Sequence, residues 1–189
     1  MKTSQTAGAS AFNPYAAPTA AVADAVPAGG EAVFFPVSLL KLTLMSIATL
    51  GLYHLYWFYK NWKCVQQNYG EDVNAPIRAF FYPFAAYPLF TRIRDHARRA
   101  QVPGTLQAGM LALTLFILAM ASRMPDPWWL ASLGIFLPML PVQSTVNEIN
   151  RKLAPQADRN TRFSGWNIVA LALASILVVL GLIGTFFGE

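Results

Sequence analysis

Apolar residues in this chain gather in blocks rather than recurring at a single helical or strand period. The blocks cover 37–59, 77–90, 105–122, 128–142 and 165–187. Crossing roughly 30 Å of hydrocarbon takes about 20 helical residues, within a range of about 17 to 25. The first and last blocks reach that length, and 105–122 reaches it adequately. The fourth reaches it when extended through Gln143, Ser144 and Thr145. The block 77–90 is short and carries Pro83 and Pro88, which interrupt backbone hydrogen bonding. This pattern predicts an all-α integral membrane protein. About four transmembrane helices fall near 37–59, 105–122, 128–145 and 165–187, with one short interfacial or re-entrant helix over 77–99.

The first 32 residues break the pattern. They are rich in Ala, carry Pro14, Pro18 and Pro27, and end in Gly29-Gly30 with few large apolar groups to bury. Such composition predicts a disordered tail over 1–32 ahead of a helical membrane domain over 33–189. No continuous apolar core follows Lys2, so a signal peptide is not expected. Asn13, Pro14 and Tyr15 form the tail's only aromatic, turn-forming island. They read either as local turn chemistry or as a short docking peptide for another protein.

Composition sharpens the membrane expectation. Hydrophobic residues make up 55% of the chain and charged residues only 12%, far from the balance of an ordinary soluble domain. A net charge of +5 raises the possibility of nucleic acid, but the bases flank apolar blocks. Anionic lipid headgroups are the more economical partner. Lone Cys64 excludes an intrachain disulfide and a cysteine-based metal cluster.

The bases also orient the chain, because Lys and Arg are retained on the cytoplasmic side. Lys60, Lys63, Arg78, Arg92, Arg94, Arg98 and Arg99 lie in 60–104, and Arg151, Lys152, Arg159 and Arg162 in 146–164. If both regions are cytoplasmic, 77–90 cannot span. Four spans then leave both termini periplasmic, with Lys41 snorkelling outward from the first. The alternative is a first block broken near Thr49-Leu50-Gly51 as a hairpin, with the N-terminus inside. Val65-Gln66 and Val142-Gln143 each lead through Asn and Glu to an Ala-Pro pair, a faint internal echo that puts the two basic regions on one side.

Aromatic residues mark the boundaries. Tyr and Trp favour the level where hydrocarbon meets headgroups. Tyr53, Tyr56, Trp57, Tyr59, Trp62, Trp128, Trp129 and Trp166 are therefore expected as interface anchors. Lys60, Lys63, Arg92, Arg94, Arg98 and Arg99 are expected to contact anionic lipid. Each base near the surface contributes about 1 kcal/mol.

Phe34-Phe-Pro-Val-Ser-Leu-Leu-Lys-Leu followed by Gly51-Leu-Tyr-His-Leu-Tyr-Trp-Phe-Tyr-Lys-Asn-Trp62 resembles a family of small bacterial membrane proteins without an assigned activity. Its signature is a Gly-aliphatic-Tyr-x-aliphatic-Tyr-Trp-x-Tyr core. Asn147-Glu-Ile-Asn150 through Arg162-Phe-Ser-Gly-Trp-Asn167 looks like that family's final loop and helix start. The resemblance covers roughly 34–187. It implies an all-helical, multi-pass protein of a bacterial inner membrane and brings no catalytic residues with it.

Catalytic constellations are not evident. His54 and His96 are the only histidines, and Asp95 and His96 diverge by about 100° on a helix. No His-Glu-x-x-His, Gly-x-Ser-x-Gly or Gly-rich phosphate loop appears. No catalytic residue, metal site or cofactor is expected. Glu148 beside Asn147 and Asn150 reads as a solvated helix end or a vestibule lining. The expected role is that of an accessory, scaffold or regulatory membrane subunit, working with a larger membrane protein or with its own copies and not with nucleic acid. The alternative is a small transporter or channel formed by oligomerisation.

Overall fold

A computed structural model describes residues 31–187, with the backbone alone at some α7 positions. These residues form α1 (Leu39–Ala48), α2 (Leu52–Tyr69), α3 (Ala75–Phe80), α4 (Tyr82–Arg99), α5 (Ala108–Ala121), α6 (Phe136–Leu153) and α7 (Gly165–Phe187). A 3₁₀ segment over Trp128–Ile135 leads into α6, and no strand occurs among the described residues. The all-helical expectation therefore holds. Asn13, Pro14 and Tyr15 lie outside the described residues.

Local chemistry sets the helix ends. The Ser38 hydroxyl accepts from the Lys41 amide and starts α1. The Asn74 side chain does the same for Ile77 at α3, whose first turn tolerates Pro76 because the missing N–H has no role there. Pro83 occupies the equivalent place in α4.

The expected span over 37–59 is not one helix. Leu50 (φ 48°) and Gly51 (φ 93°) adopt left-handed backbone, which ends α1 and lets α2 start in a new direction. Thr49 serves both helices: its hydroxyl donates to Met45 O (2.7 Å) and accepts from the Tyr53 amide (2.9 Å). The chain then returns. The Val33 carbonyl lies against Asn68 at the far end of α2, so 33–69 forms a hairpin. The break falls at Thr49-Leu50-Gly51, where the alternative reading of the first block put it. The hairpin corrects the straight first span, and residue 33 belongs to the end of the molecule that carries Tyr69 and the last turn of α4.

The segment 77–99, expected as one short interfacial or re-entrant helix, is not a single short helix. Phe81 divides it into α3 and an 18-residue α4. Ala85, Ala86, Leu89, Phe90, Ile93 and Ala97 bury one face of α4, which packs against α2, α5 and α6. Three alanines on that face let the backbones approach closely, so α4 is a wall of the core with its charges toward its C-terminal end.

Among the described residues, one helical run is long and apolar enough to cross a membrane: Trp128–Leu153, of 26 residues. Four spans are therefore not what the described residues show. α7 is 23 residues long, carries no charged residue and packs against α1.

The core lies where α2, α4, α5 and α6 meet. Trp57, Phe58, Trp62, Phe90, Leu89 and Ile93 are all fully buried in it. Phe58 stacks on Phe90 with ring centroids 6.2 Å apart, and Trp57 meets Phe58 edge-on at 5.1 Å. Outside this core the surface is unusually apolar. Leu40, Leu52, Phe80, Phe84, Met110 and Ile117 are all exposed, and so are Ile168, Leu173, Ile176, Val179 and Leu180 along α7.

Candidate functional site

The non-helical segment Val33–Val37 passes between α2 and α6 and is almost wholly buried. It has no partner strand, yet its backbone groups need partners once water is gone. Side-chain amides supply them. The carbonyls of Val33, Phe34, Phe35, Pro36 and Val37 accept, in order, from Asn68 (2.8 Å), Asn150 (2.8 Å), Gln143 (3.2 Å), Asn160 (3.1 Å) and Asn147 (2.9 Å). The Phe34 amide donates to Asn150 Oδ1 and the Phe35 amide to Asn61 Oδ1, each at 3.2 Å. Asn150 thus pairs with Phe34 as a neighbouring strand would.

Helical spacing builds this cradle. Asn61 and Asn68 are seven residues apart on α2, and Gln143, Asn147 and Asn150 follow an i, i+4, i+7 stripe on α6. The amides also brace one another. Gln143 Oε1 accepts from Trp57 Nε1 at 2.6 Å, Gln143 Nε2 donates to Asn147 Oδ1 at 2.9 Å, and Asn61 Nδ2 donates to Trp57 O at 3.0 Å. The sequence reading missed this set, apart from naming Asn147 and Asn150 as a helix end or vestibule. The signal was an amide stripe at core spacing inside otherwise apolar helices.

Two cavities flank the loop between α6 and α7. One, of about 330 Å³, is lined by Ser38, Asn147, Glu148, Arg151, Asp158 and Arg159, so Glu148 does border a vestibule, paired there with Arg151. The other, of about 390 Å³, lies among α1, the start of α2 and the start of α7. Lys41 borders it and does not snorkel away. Its Nζ donates to Asn160 Oδ1 and Arg162 O, both at 2.8 Å, and sits 5.7 Å from the centre of the Phe163 ring. Lys41 thereby ties α1 to the loop.

The expected interface anchors divide. Trp57 and Trp62 are fully buried and Tyr53 is 6% exposed, so these three are core residues and not surface anchors. Their polar tips differ, since Trp62 Nε1 and the Tyr53 hydroxyl are buried without a hydrogen-bond partner among the described residues. Trp57 satisfies its N–H through Gln143, and Trp62 packs its ring under the Arg78 guanidinium (4.2 Å) and near that of Arg92 (5.4 Å). Tyr56 and Trp128 are exposed, and Tyr59 and Trp129 are half-buried. Trp166 falls in the first turn of α7, and its side chain lies outside those described.

The expected lipid-contacting bases divide as well. Lys63 and Arg98 are exposed. Lys60 lies over Phe35, 5.6 Å from the ring centre, and Arg92 pairs with Glu71 at 2.5 Å. Arg94 donates to Asp95 at 2.9 Å, a bond that holds the Asp95 carboxyl below its usual pKa. Arg92 and Arg94 are thus each paired with a carboxylate of the same chain, at the half-exposed surface. Arg99 is exposed at the end of α4. His54 is 1% exposed with neither ring nitrogen hydrogen-bonded, and His96 Nδ1 meets the Tyr69 hydroxyl at 2.5 Å. The internal echo is limited to apolar positions: Val65 and Val142 are both buried, but Gln66 is exposed where Gln143 is buried. Among the described residues no cluster of His, Cys, Asp and Glu is arranged to hold a metal.

Compared with protein-family models, curated proteins and solved structures, the chain matches none.

Proposed function

We propose that this protein is a membrane-embedded adaptor: a non-catalytic accessory or scaffold subunit that holds its N-terminal segment in a fixed seat for a partner. The amide cradle carries this reading. Five consecutive carbonyls, each held by a different side-chain amide, anchor the start of the folded domain against α2, α6 and the loop before α7. Residues 1–32 therefore leave from a rigid point, which suits presentation of a docking peptide around Asn13, Pro14 and Tyr15.

The membrane half of the reading draws on the many large apolar side chains exposed on α1, α3, α4, α5 and α7, a surface that favours lipid contact. It also draws on a backbone rule. Non-helical chain at membrane depth is tolerated where protein buries it and satisfies its polar groups. The resemblance to small bacterial inner-membrane proteins points the same way. We place Trp128–Leu153 and α7 across the bilayer, α1–α2 as a hairpin dipping into it, and Lys63 and Arg98 at anionic headgroups on the cytoplasmic side.

Two measurements test the two halves. Membranes from cells producing the full chain are washed with alkaline carbonate, and the protein is expected in the pellet. Quantitative release into the supernatant refutes a spanning protein. For the adaptor role, cross-linking in native membranes is expected to capture a partner that deletion of residues 1–30 releases, with the thermal midpoint of the bundle unchanged. Capture that is indifferent to the deletion removes the docking role. Ion or solute flux through liposomes holding the purified chain alone would instead favour the oligomeric pore.

A further inference from the structure

His54 sits just past the reversal between α1 and α2, and no hydrogen bond accounts for its burial. The imidazole is 1% exposed, and neither ring nitrogen has a partner among the described residues. A neutral imidazole carries one donor and one acceptor, and buried polar groups left without partners are rare. The turn itself closes the seat, since a Cβ on Gly51 would come within 3.3 Å of His54 Nδ1. The Tyr82 ring, at the start of α4, adds a second wall, with ring centres 6.4 Å apart. That turn is built to give. Leu50 takes φ 48°, where left-handed backbone crowds its Cβ, so the closed turn carries strain that an open one relieves. Among the described residues the Thr49 hydroxyl, bonded to Met45 O and the Tyr53 amide, is the one side-chain tie recorded across it.

The charges around the hairpin are engaged elsewhere. α1 carries one charged residue, Lys41, which is held by Asn160 and Arg162. α3 carries Arg78, which lies over Trp62. On α4 the titratable group recorded against the His54 ring is Tyr82, uncharged near neutral pH, while Arg92 is held by Glu71 and Arg94 by Asp95. On α2 itself Lys60 lies over Phe35 and Lys63 is exposed. No carboxylate is thus recorded beside His54, and an imidazolium in its seat would be a buried charge without a partner. Once the turn opens, the same ring meets water and takes up a proton at about pH 6.5. We propose that the α1–α2 turn is a proton-gated hinge, which His54 closes as a neutral imidazole and holds open as an imidazolium. Only the open form binds the extra proton, so acid favours opening and neutral pH favours closure. The hinge does not depend on what the N-terminal segment docks.

The test is hydrogen exchange on the full chain in detergent, read in peptides covering 46–58 and corrected for the chemical exchange rate at each pH. The exchange-competent fraction is expected to rise about tenfold from pH 7.5 to 5.5, a range in which ordinary carboxylates stay charged. Peptides from 136–153 are expected to stay level, because the core does not open. His54→Leu is expected to abolish the rise, and His96→Gln, which alters the other histidine, to keep it. Thermal midpoints at pH 7.5 establish that both variants are folded. Exchange that ignores pH in the native chain overturns the hinge, and that outcome needs no variant at all. So does a rise that survives His54→Leu or vanishes with His96→Gln. An equal rise in 136–153 would mean that acid loosens the whole bundle, and it too would overturn the hinge.

Discussion

At Gly51 one hydrogen atom stands where a methyl group would meet His54. A Cβ there would lie 3.3 Å from His54 Nδ1, on a backbone with φ of 93°. Both the contact and the left-handed backbone oppose a side chain, so Gly51→Ala is expected to cost about 1–2 kcal/mol. Thermal unfolding in detergent checks this, with a fall of roughly 2–4 °C per kcal/mol for a chain of this size. Gln143 presents the opposite case, since it is the partner that two buried groups depend on. Gln143→Leu strands Trp57 Nε1 and the Phe35 carbonyl together, for about 2–5 kcal/mol. Adding Trp57→Phe removes one stranded donor, so the double variant should lose less than the two single losses combined. Simple additivity in equilibrium unfolding would show that the bond contributes nothing. These residues also show what the sequence can and cannot reveal. Trp57 and Tyr56 share one aromatic block, and nothing in the composition says which finds water and which finds Gln143. The stripes Asn61/Asn68 and Gln143/Asn147/Asn150 were legible by spacing. Their target, a bare backbone segment more than a hundred positions from α6 in sequence, was not.

At the scale of elements, apolar blocks located the helices but not their continuity. The blocks at 105–122 and 165–187 correspond to α5 and α7 with small changes at the ends. In the first block a straight span was the first reading and a hairpin broken near Thr49-Leu50-Gly51 the alternative, and the left-handed Leu50 and Gly51 put the break where the alternative had it. The block at 77–90 misled in the other direction. Pro83 falls in the first turn of α4, where it is tolerated; Pro88 sits inside the helix, which nonetheless continues through the charged 91–99. The hairpin makes a topological prediction. Residues Glu31 and Glu71 should face the same side of the membrane, since Val33 contacts Asn68. Single cysteines placed there in a Cys64→Ser background are expected to label together with an impermeant maleimide, from the side that Lys63 and Arg98 face. Labelling from opposite sides would restore a straight first span and remove the hairpin.

For the molecule as a whole, the question is how α7 stays attached to a core built by α2, α4, α5 and α6. Its packing is against α1, and the loop before it is held to α1 by Lys41. Sequence reasoning treated Lys41 as a misfit in a span, because its partners Asn160 and Arg162 lie about 120 positions away and only the fold brings them near. Two hydrogen bonds from a charged donor contribute about 1.5–3 kcal/mol each before the cost of burying the ammonium. Local opening of the loop should therefore become easier when they are lost, while the core is untouched. Lys41→Met keeps the length and apolar stem of the side chain and removes only the donor. In lipid-free detergent, trypsin is expected to cut after Arg159 and Arg162 about tenfold faster in this variant, an increase that corresponds to about 1.4 kcal/mol. The thermal midpoint should move by no more than a few degrees, because Trp57, Phe58 and Phe90 keep every neighbour. A collapse of the midpoint instead would mean that Lys41 belongs to the cooperative core. An unchanged cleavage rate would mean that α7 is held by its packing on α1 alone.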